Sequence, residues 1–259
     1  MIRASSGPTR ECGRLRDLTE QQRTAFRDDG YVAPLDVLQP DEAESYRIRV
    51  EAFIATVPPE QLRTKVHLDS PVLLELVRRP EILDVVSAVL GPDLLCRSSS
   101  LFIKDPDDGG FVAWHQDATY WELEPPAVAT AWLALTPSTV SNGALQVLPR
   151  SHRPPLMEHH QACRPGNLLT LGQEIAEPID EARAVTLELG PGQLSLHDAR
   201  LAHASAPNRS ESRRIGFAIR YAAAHVRNTG SRRDSALLVR GVDRYSHFDT
   251  EPGFARSTG

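Results

Sequence analysis

The stretch Phe111-Val-Ala-Trp-His-Gln-Asp-Ala-Thr-Tyr-Trp121 sets the reading of the whole chain. An apolar run leads into His115, Gln116 and Asp117, and aromatic residues close it. Side chains alternate with period two along a β-strand, so a histidine and an aspartate two positions apart share a face. One divalent ion could touch both. A third ligand from a distant strand would complete a two-histidine, one-carboxylate face with open positions, the donor set that suits non-heme Fe(II) oxygenases.

The spacing alone is weak. Nine histidines and seventeen aspartates in 259 residues yield about 0.6 such pairs by chance, and the chain holds three: His67/Asp69, His115/Asp117 and His247/Asp249. Context separates them. His67 and Asp69 lead into Ser70-Pro71 and an apolar helical run, so Asp69 or Ser70 reads as a helix cap, and a surface role is expected for His67 and Lys65. His247 and Asp249 lie in a polar C-terminal segment, where exposed side chains are the default. His115 and Asp117 alone sit in a stretch that a core would surround. Burying a carboxylate there is costly unless a cation or hydrogen bonds compensate.

Outward from this stretch, the first third of the chain reads as helix. Thr19 caps a helix that stops at Gly30, Tyr31-Val32 reads as a short strand, and Pro40 opens a second helix. Residues 71–90 are helical, interrupted before Pro80 and closed by Gly91. From Leu94 the texture changes to short β-type runs at 101–103, 111–114, 128–135, 145–148, 185–189, 194–196 and 215–221. Asp107-Asp-Gly-Gly110 and Asn142-Gly143 mark turns. Residues 150–165 and 172–182 read as long loops, plausible lids, with His159 and His160 on the first. The expected fold is mainly β with N-terminal helices packed on a β-sandwich or barrel. It forms a single domain over 1–259: a helical lead-in at 18–93, a β-core at 94–223 and a polar segment at 224–259.

Composition excludes several classes. With 41% hydrophobic and 24% charged residues the chain is an ordinary globular domain, and a net charge of -5 gives no footprint for nucleic acid. No apolar run approaches the ~20 residues that span a bilayer, and residues 1–8 lack the apolar core of a secretory signal. Cys12, Cys96 and Cys163 are odd in number and far apart, which argues against a disulfide framework. A cytoplasmic location is the expectation.

A second constellation lies at Gly190-Pro-Gly-Gln-Leu-Ser-Leu-His-Asp-Ala-Arg-Leu-Ala-His-Ala-Ser-Ala-Pro-Asn208. His197 and His203 are both possible third ligands. Beyond them, alternation along Ile215-Gly-Phe-Ala-Ile-Arg-Tyr221 puts Ile215, Phe217 and Ile219 on one face, and Arg214, Gly216 and Ala218 on the other. An arginine beside glycine and alanine leaves space next to a fixed guanidinium, which binds carboxylate through two parallel hydrogen bonds. The bland alternative makes Arg213 and Arg214 solvated edge charges and His197 a turn residue.

Trp114-His-Gln-Asp-Ala-Thr-Tyr-Trp121, Ser141-Asn-Gly-Ala-Leu-Gln-Val-Leu-Pro-Arg-Ser-His152 and His203-Ala-Ser-Ala-Pro-Asn-Arg-Ser210 resemble the phytanoyl-CoA dioxygenase family, in order and spacing across roughly residues 18–250. The resemblance implies a double-stranded β-helix (jelly-roll) fold, Fe(II), and 2-oxoglutarate with O2 as cosubstrates. It makes His115, Asp117 and His203 the iron ligands, with His203 rather than His197 carrying the family context. Arg214 matches the residue that holds the distal carboxylate of 2-oxoglutarate. Ser205 matches a hydroxyl supporting that carboxylate, and Trp132 an aromatic of the same pocket. Ser98 and Phe102 fall where the family lines the cosubstrate site. Asp117 is the carboxylate that halogenating members lack, so its presence favours hydroxylation of a small organic molecule, a secondary metabolite or small acid. Desaturation, epimerisation or ring closure with the same cofactors are the alternatives, and a non-redox cupin-like metal protein is the rival of another class. Tyr120 and Trp121 read equally as a wall over substrate or as packing. Arg227, Arg232 and Arg233 read as a solvated tail.

Overall fold

The computed structural model describes residues 17–253 except 154, 163, 232 and the side chain of Tyr120. Cys12, Cys163 and Arg232 therefore lie outside the described residues.

Local sequence sets the helices. Helix α1 (Glu20–Asp29) begins in a capping box, where the Thr19 side chain accepts from the Gln22 backbone and Gln22 bonds back to the Thr19 N–H. It stops at Gly30, whose φ of 87° is a left-handed conformation that glycine adopts without strain. Proline occupies the first position of α2 (Pro40–Ile54), α3 (Pro71–Val77) and α4 (Pro80–Leu90), where its missing N–H costs nothing. Ser70 precedes α3 at the expected cap position, but its side chain makes no capping bond.

Among the described residues fifteen strands follow or interleave: β1 (Tyr31–Asp36), β2 (Leu94–Lys104), β3 (Val112–His115), β4 (Leu123–Glu124), β5 (Val128–Ala134), β6 (Leu145–Val147), β7 (His159–Gln161), β8 (Gln173–Ile175), β9 (Val185–Leu187), β10 (Gln193–Asp198), β11 (His203–Ser205), β12 (Arg214–Ala223), β13 (Arg227–Asn228), β14 (Ser235–Arg240) and β15 (Asp249–Thr250). A seven-stranded sheet runs β1-β10-β5-β12-β2-β14-β15, and a four-stranded sheet runs β3-β11-β6-β9. Together they form the jelly roll.

The large sheet is buried on both faces, and the two faces do different work. Ile215, Phe217 and Ile219 of β12 join Leu133 and Leu194 in a core shared with Leu73, Leu76, Ile82 and Val86 of the helices. Burying one such side chain fully is worth roughly 1.5–3 kcal/mol, so this face anchors the lead-in firmly. The opposite face, carrying Thr130, Trp132, His197, Arg214, Ala218 and Arg220, looks into the space between the sheets.

Three expectations are corrected. The C-terminal segment is not all loose, because β14 and β15 extend the large sheet beyond β2, while the short strand read at Tyr31-Val32 forms its other edge as β1. The regions expected as long loops meet each other: His159–Gln161 pairs antiparallel with Gln173–Ile175. Alternating polar and apolar residues were too few there to reveal strands. His67, expected at the surface, is fully buried, with Nδ1 2.7 Å from Ser99 Oγ and Nε2 3.5 Å from Glu251 Oε2. Lys65 ion-pairs with the same Glu251 and donates to Ser235 Oγ at 2.7 Å, clasping the C-terminal segment onto the lead-in.

Candidate active site

Strand pairing assembles the site. His115 ends β3 and His203 begins β11, and the two residues are direct partners in the antiparallel ladder, with ring centroids 4.1 Å apart. Asp117 does not continue the strand. The chain turns after His115, and Asp117 opens a 3-10 turn over Asp117–Tyr120, so a turn rather than period-two alternation presents the carboxylate. Gln116 pins that turn. Its side-chain carbonyl accepts from the Met157 N–H at 2.8 Å, its amide donates to the Ser151 and Arg200 carbonyls, and its backbone N–H donates to His159 Nε2 at 3.0 Å.

The donor atoms of His115, Asp117 and His203 lie within 4.8 Å of one another, all buried. His115 Nδ1 is 2.9 Å from the Ala113 carbonyl and His203 Nδ1 is 2.8 Å from the Leu201 carbonyl. A carbonyl can only accept, so each Nδ1 carries the proton and each Nε2 presents a lone pair to the site. His115 Nε2 stands 3.6 Å from Asp117 Oδ1, near the ~3 Å between adjacent donors on one ion with bonds of about 2.1 Å. Asp117 Oδ2 accepts from Thr130 Oγ1 at 2.8 Å and lies 3.7 Å from Arg220 Nε. Burial alone would raise the Asp117 pKa. The Arg220 guanidinium, the largest opposing influence, outweighs it and holds the carboxyl well below its usual range. Burial depresses the His203 pKa, reinforced by His115 and His197, so the imidazole is neutral, the ligating form. Donor type, orientation and protonation all fit a divalent cation such as Fe(II).

His197, the alternative third ligand, lines the same cavity but lies outside this group of three. It faces Thr130 across the β10–β5 ladder, its ring is 4.7 Å from His203, and neither ring nitrogen has a hydrogen-bond partner. Burial pulls its pKa down to about 4.

Arg214 forms the far wall. It is buried, its Nε lacks a partner, and its Nη1 donates to the Gly143 carbonyl. Burial lowers its pKa to about 10. The alternative of a solvated charge fits Arg213 instead, an exposed partner of Asp105. The space beside Arg214 differs from expectation. A Cβ at Gly216 would stand 2.0 Å from Trp132 Cζ2, so the glycine admits the Trp132 indole, over which Arg214 lies at 5.3 Å. Gly143 is needed twice over, for its φ of 75° and because a Cβ there would meet the Ala206 carbonyl oxygen at 2.0 Å. Ser205 lines the cavity, and its hydroxyl receives Lys104 Nζ at 2.6 Å. Phe102 lines it too, while Ser98 lies in the adjoining chamber. An unsatisfied buried guanidinium beside a hydroxyl is the environment that a carboxylate completes. The cavity is narrow, about 20 Å3, so a five-carbon diacid must displace flexible groups on its walls.

Three contributors escaped the sequence reading. Arg220 continues the face of Arg214, Gly216 and Ala218, and extending the alternation by one step would have found it. Thr130 and Lys104 carried no local signal, because their roles depend on strands paired far apart in sequence.

A jelly roll holding two histidines and a carboxylate beside a buried arginine is the architecture of an Fe(II)/2-oxoglutarate oxygenase. The chain belongs to the phytanoyl-CoA dioxygenase (PhyH) family, whose model matches residues 26–216. It is similar to a probable phytanoyl-CoA dioxygenase of Caenorhabditis elegans, 29% identical over 172 residues, 63% of this chain and 55% of that protein. The chain spans about half the length of the curated relatives it matches, 55%, 55% and 52% in three cases. Among solved structures, the non-heme monooxygenase ThoJ in its apo form has a TM-score of 0.77 at 38% identity, covering 89% of this chain and 87% of that one. CytC3 with Fe(II) and alpha-ketoglutarate has a TM-score of 0.68 at 26% identity, covering 91% and 93%. Among the described residues no helix is long and apolar enough to cross a membrane.

Proposed function

We propose that this chain is an Fe(II)/2-oxoglutarate-dependent oxygenase that hydroxylates a small organic molecule, R–H + 2-oxoglutarate + O2 giving R–OH + succinate + CO2. The observation that carries this reading is the convergence of three buried donors, His115, Asp117 and His203, on a cavity whose far wall is the partly unsatisfied Arg214. Ferrous iron bound there supplies dioxygen activation and the oxidative decarboxylation of the cosubstrate. The protein's own part is geometric and electrostatic. His115 and His203 offer Nε2 in a fixed tautomer, and Thr130 and Arg220 orient Asp117 through its second oxygen. Arg214 and Ser205 take the distal carboxylate of 2-oxoglutarate, Lys104 holds Ser205, and Trp132 keeps water from the guanidinium. A non-redox cupin-like metal protein would have no use for Arg214 in this place.

The test is anaerobic titration with Fe(II) and 2-oxoglutarate. The visible charge-transfer band of the chelate is expected in the native protein and not in His115→Ala, and succinate should form once air and substrate are admitted. Well-folded, iron-loaded protein without the band would remove the assignment.

A further inference from the structure

Next to the metal cavity a second chamber of about 370 Å3 opens, sharing Phe102, Asp117 and Arg220 with it but not Arg214. Three guanidinium groups, Arg63, Arg97 and Arg220, stand on its wall, and Asp117 is the one carboxylate among its described lining residues. That carboxylate is committed to the metal on the oxygenase reading, on which this inference rests. Arg220 donates to Ser100 Oγ at 2.8 Å and reaches Asp117 at 3.7 Å. Arg97 pairs with Asp234 at 2.8 Å and lies 4.8 Å over the Trp121 ring. Arg63, half-buried, donates one N–H to the Leu168 carbonyl and forms no ion pair among the described residues. Asp234 is shared with Lys65, so the cations around the chamber outnumber the acids available to them.

Withdrawing a cation from water without a counter-charge is costly, and such sites are retained where a ligand brings the opposite charge. The rest of the wall is mixed, with the apolar Phe102, Trp121, Leu168 and Leu169 facing the chamber alongside hydroxyl and amide groups such as those of Ser100 and Gln173. We infer that the substrate is a small organic oxyanion, a carboxylate or phosphate ester with an apolar body. Arg63 and Arg97 hold its head group in the chamber, and its carbon skeleton packs toward Asp117 and the metal. The volume falls in the range of small-molecule sites, roughly 300–1,000 Å3. A purely structural alternative confines each arginine to a local contact, with Arg63 tying down Leu168, Arg97 holding Asp234 and Arg220 orienting Asp117. It predicts no preference for charge in the ligand.

The experiment uses protein loaded anaerobically with Fe(II) and 2-oxoglutarate, with the chelate band as a check on the first site. Three probes are titrated and read by calorimetry: 3-phenylpropanoate, phenyl phosphate and neutral 3-phenylpropanamide. At least one anion is expected to bind about tenfold or more tightly than the amide, the scale of one charge-assisted hydrogen-bonded pair, and the tighter of the two identifies the head group. The preference should shrink with added NaCl and collapse in Arg63→Gln, whose chelate band stays intact. If neither anion outbinds the amide while the band is present, the inference is overturned and the oxygenase reading stands. The inference is likewise overturned if the preference survives in both Arg63→Gln and Arg97→Gln. A missing band in the native protein overturns the oxygenase reading and the inference with it.

Discussion

Arg214 and Lys104 are direct partners across the β12–β2 ladder, both are buried, and neither forms an ion pair among the described residues. Burial first and the neighbouring Arg214 second bring the Lys104 pKa down to about 6, so near neutral pH Arg214 carries the charge of the pair. On the proposed reading the distal carboxylate of 2-oxoglutarate supplies the counter-charge that this buried guanidinium lacks.

Removing the Arg214 guanidinium should weaken 2-oxoglutarate while sparing iron. In Arg214→Ala the concentration needed to half-develop the chelate band is expected to rise on the order of a hundredfold, matching about 2–3 kcal/mol for a charge-assisted buried pair. Metal affinity should move little. An unchanged cosubstrate requirement would take Arg214 out of its role.

Thr130 touches the metal site through one bond, from Oγ1 to Asp117 Oδ2 at 2.8 Å. Thr130→Val keeps the shape and deletes the donor, leaving Asp117 freer to rotate. Losing such a supporting bond typically costs 10–100-fold in metal affinity. Competition titration with a chelator should show Fe(II) held about tenfold less tightly, with the fold intact by circular dichroism. Equal affinity in the two proteins would show that Arg220 alone suffices to orient Asp117.

Gly216→Ala places a methyl where Trp132 Cζ2 now approaches to 2.0 Å of the ideal Cβ position. The indole must leave its place under Arg214. Overpacking of this kind costs about 1–3 kcal/mol, so the thermal midpoint should fall, Trp132 fluorescence should shift, and 2-oxoglutarate should bind less tightly. A variant indistinguishable from the native protein in all three would show that the ring has room to spare.

The pH dependence of stability follows from Lys104. Burial first, and Arg214 second, bring its pKa to about 6 from an ordinary 10.5. Between those values the unfolded chain binds a proton that the native protein does not. Lys104 therefore makes native stability rise with pH in that window, by up to about 1.4 kcal/mol per unit, and flatten beyond either end. Urea unfolding of the cosubstrate-free protein from pH 6.5 to 8.5, compared with Lys104→Met, should show the native protein gaining on the variant as pH rises. A difference that stays constant with pH would mean that Lys104 titrates alike in both states.

Local chemistry carried much of the architecture. The Thr19 box, the Gly30 stop, the prolines at 40, 71 and 80 and the apolar β-runs are nearest-neighbour effects, and their elements lie where the sequence puts them. The 159–175 hairpin and the strand at 235–240 were not legible, because short half-exposed strands owe their existence to partners rather than to pattern. Within the site, His115 and Asp117 stood out as polar residues in an apolar stretch and Arg214 by its place on a small-residue face, whereas His203 was separated from His197 only by the family resemblance.

The sequence by itself determined which residue types were available and the face each would occupy where the strand continued, as along Arg214 to Arg220, but not at Asp117, which a turn presents. Tertiary structure alone decided the partners. Register set His203, and not His197, against His115, brought Thr130 and Arg220 to the second oxygen of Asp117, and seated Trp132 on Gly216. It also gathered Arg63, Arg97 and Arg220 around one chamber. The physical reason is that alternation and capping act over a few residues, whereas a binding site is made by strands that meet only when the sheets close and exclude water.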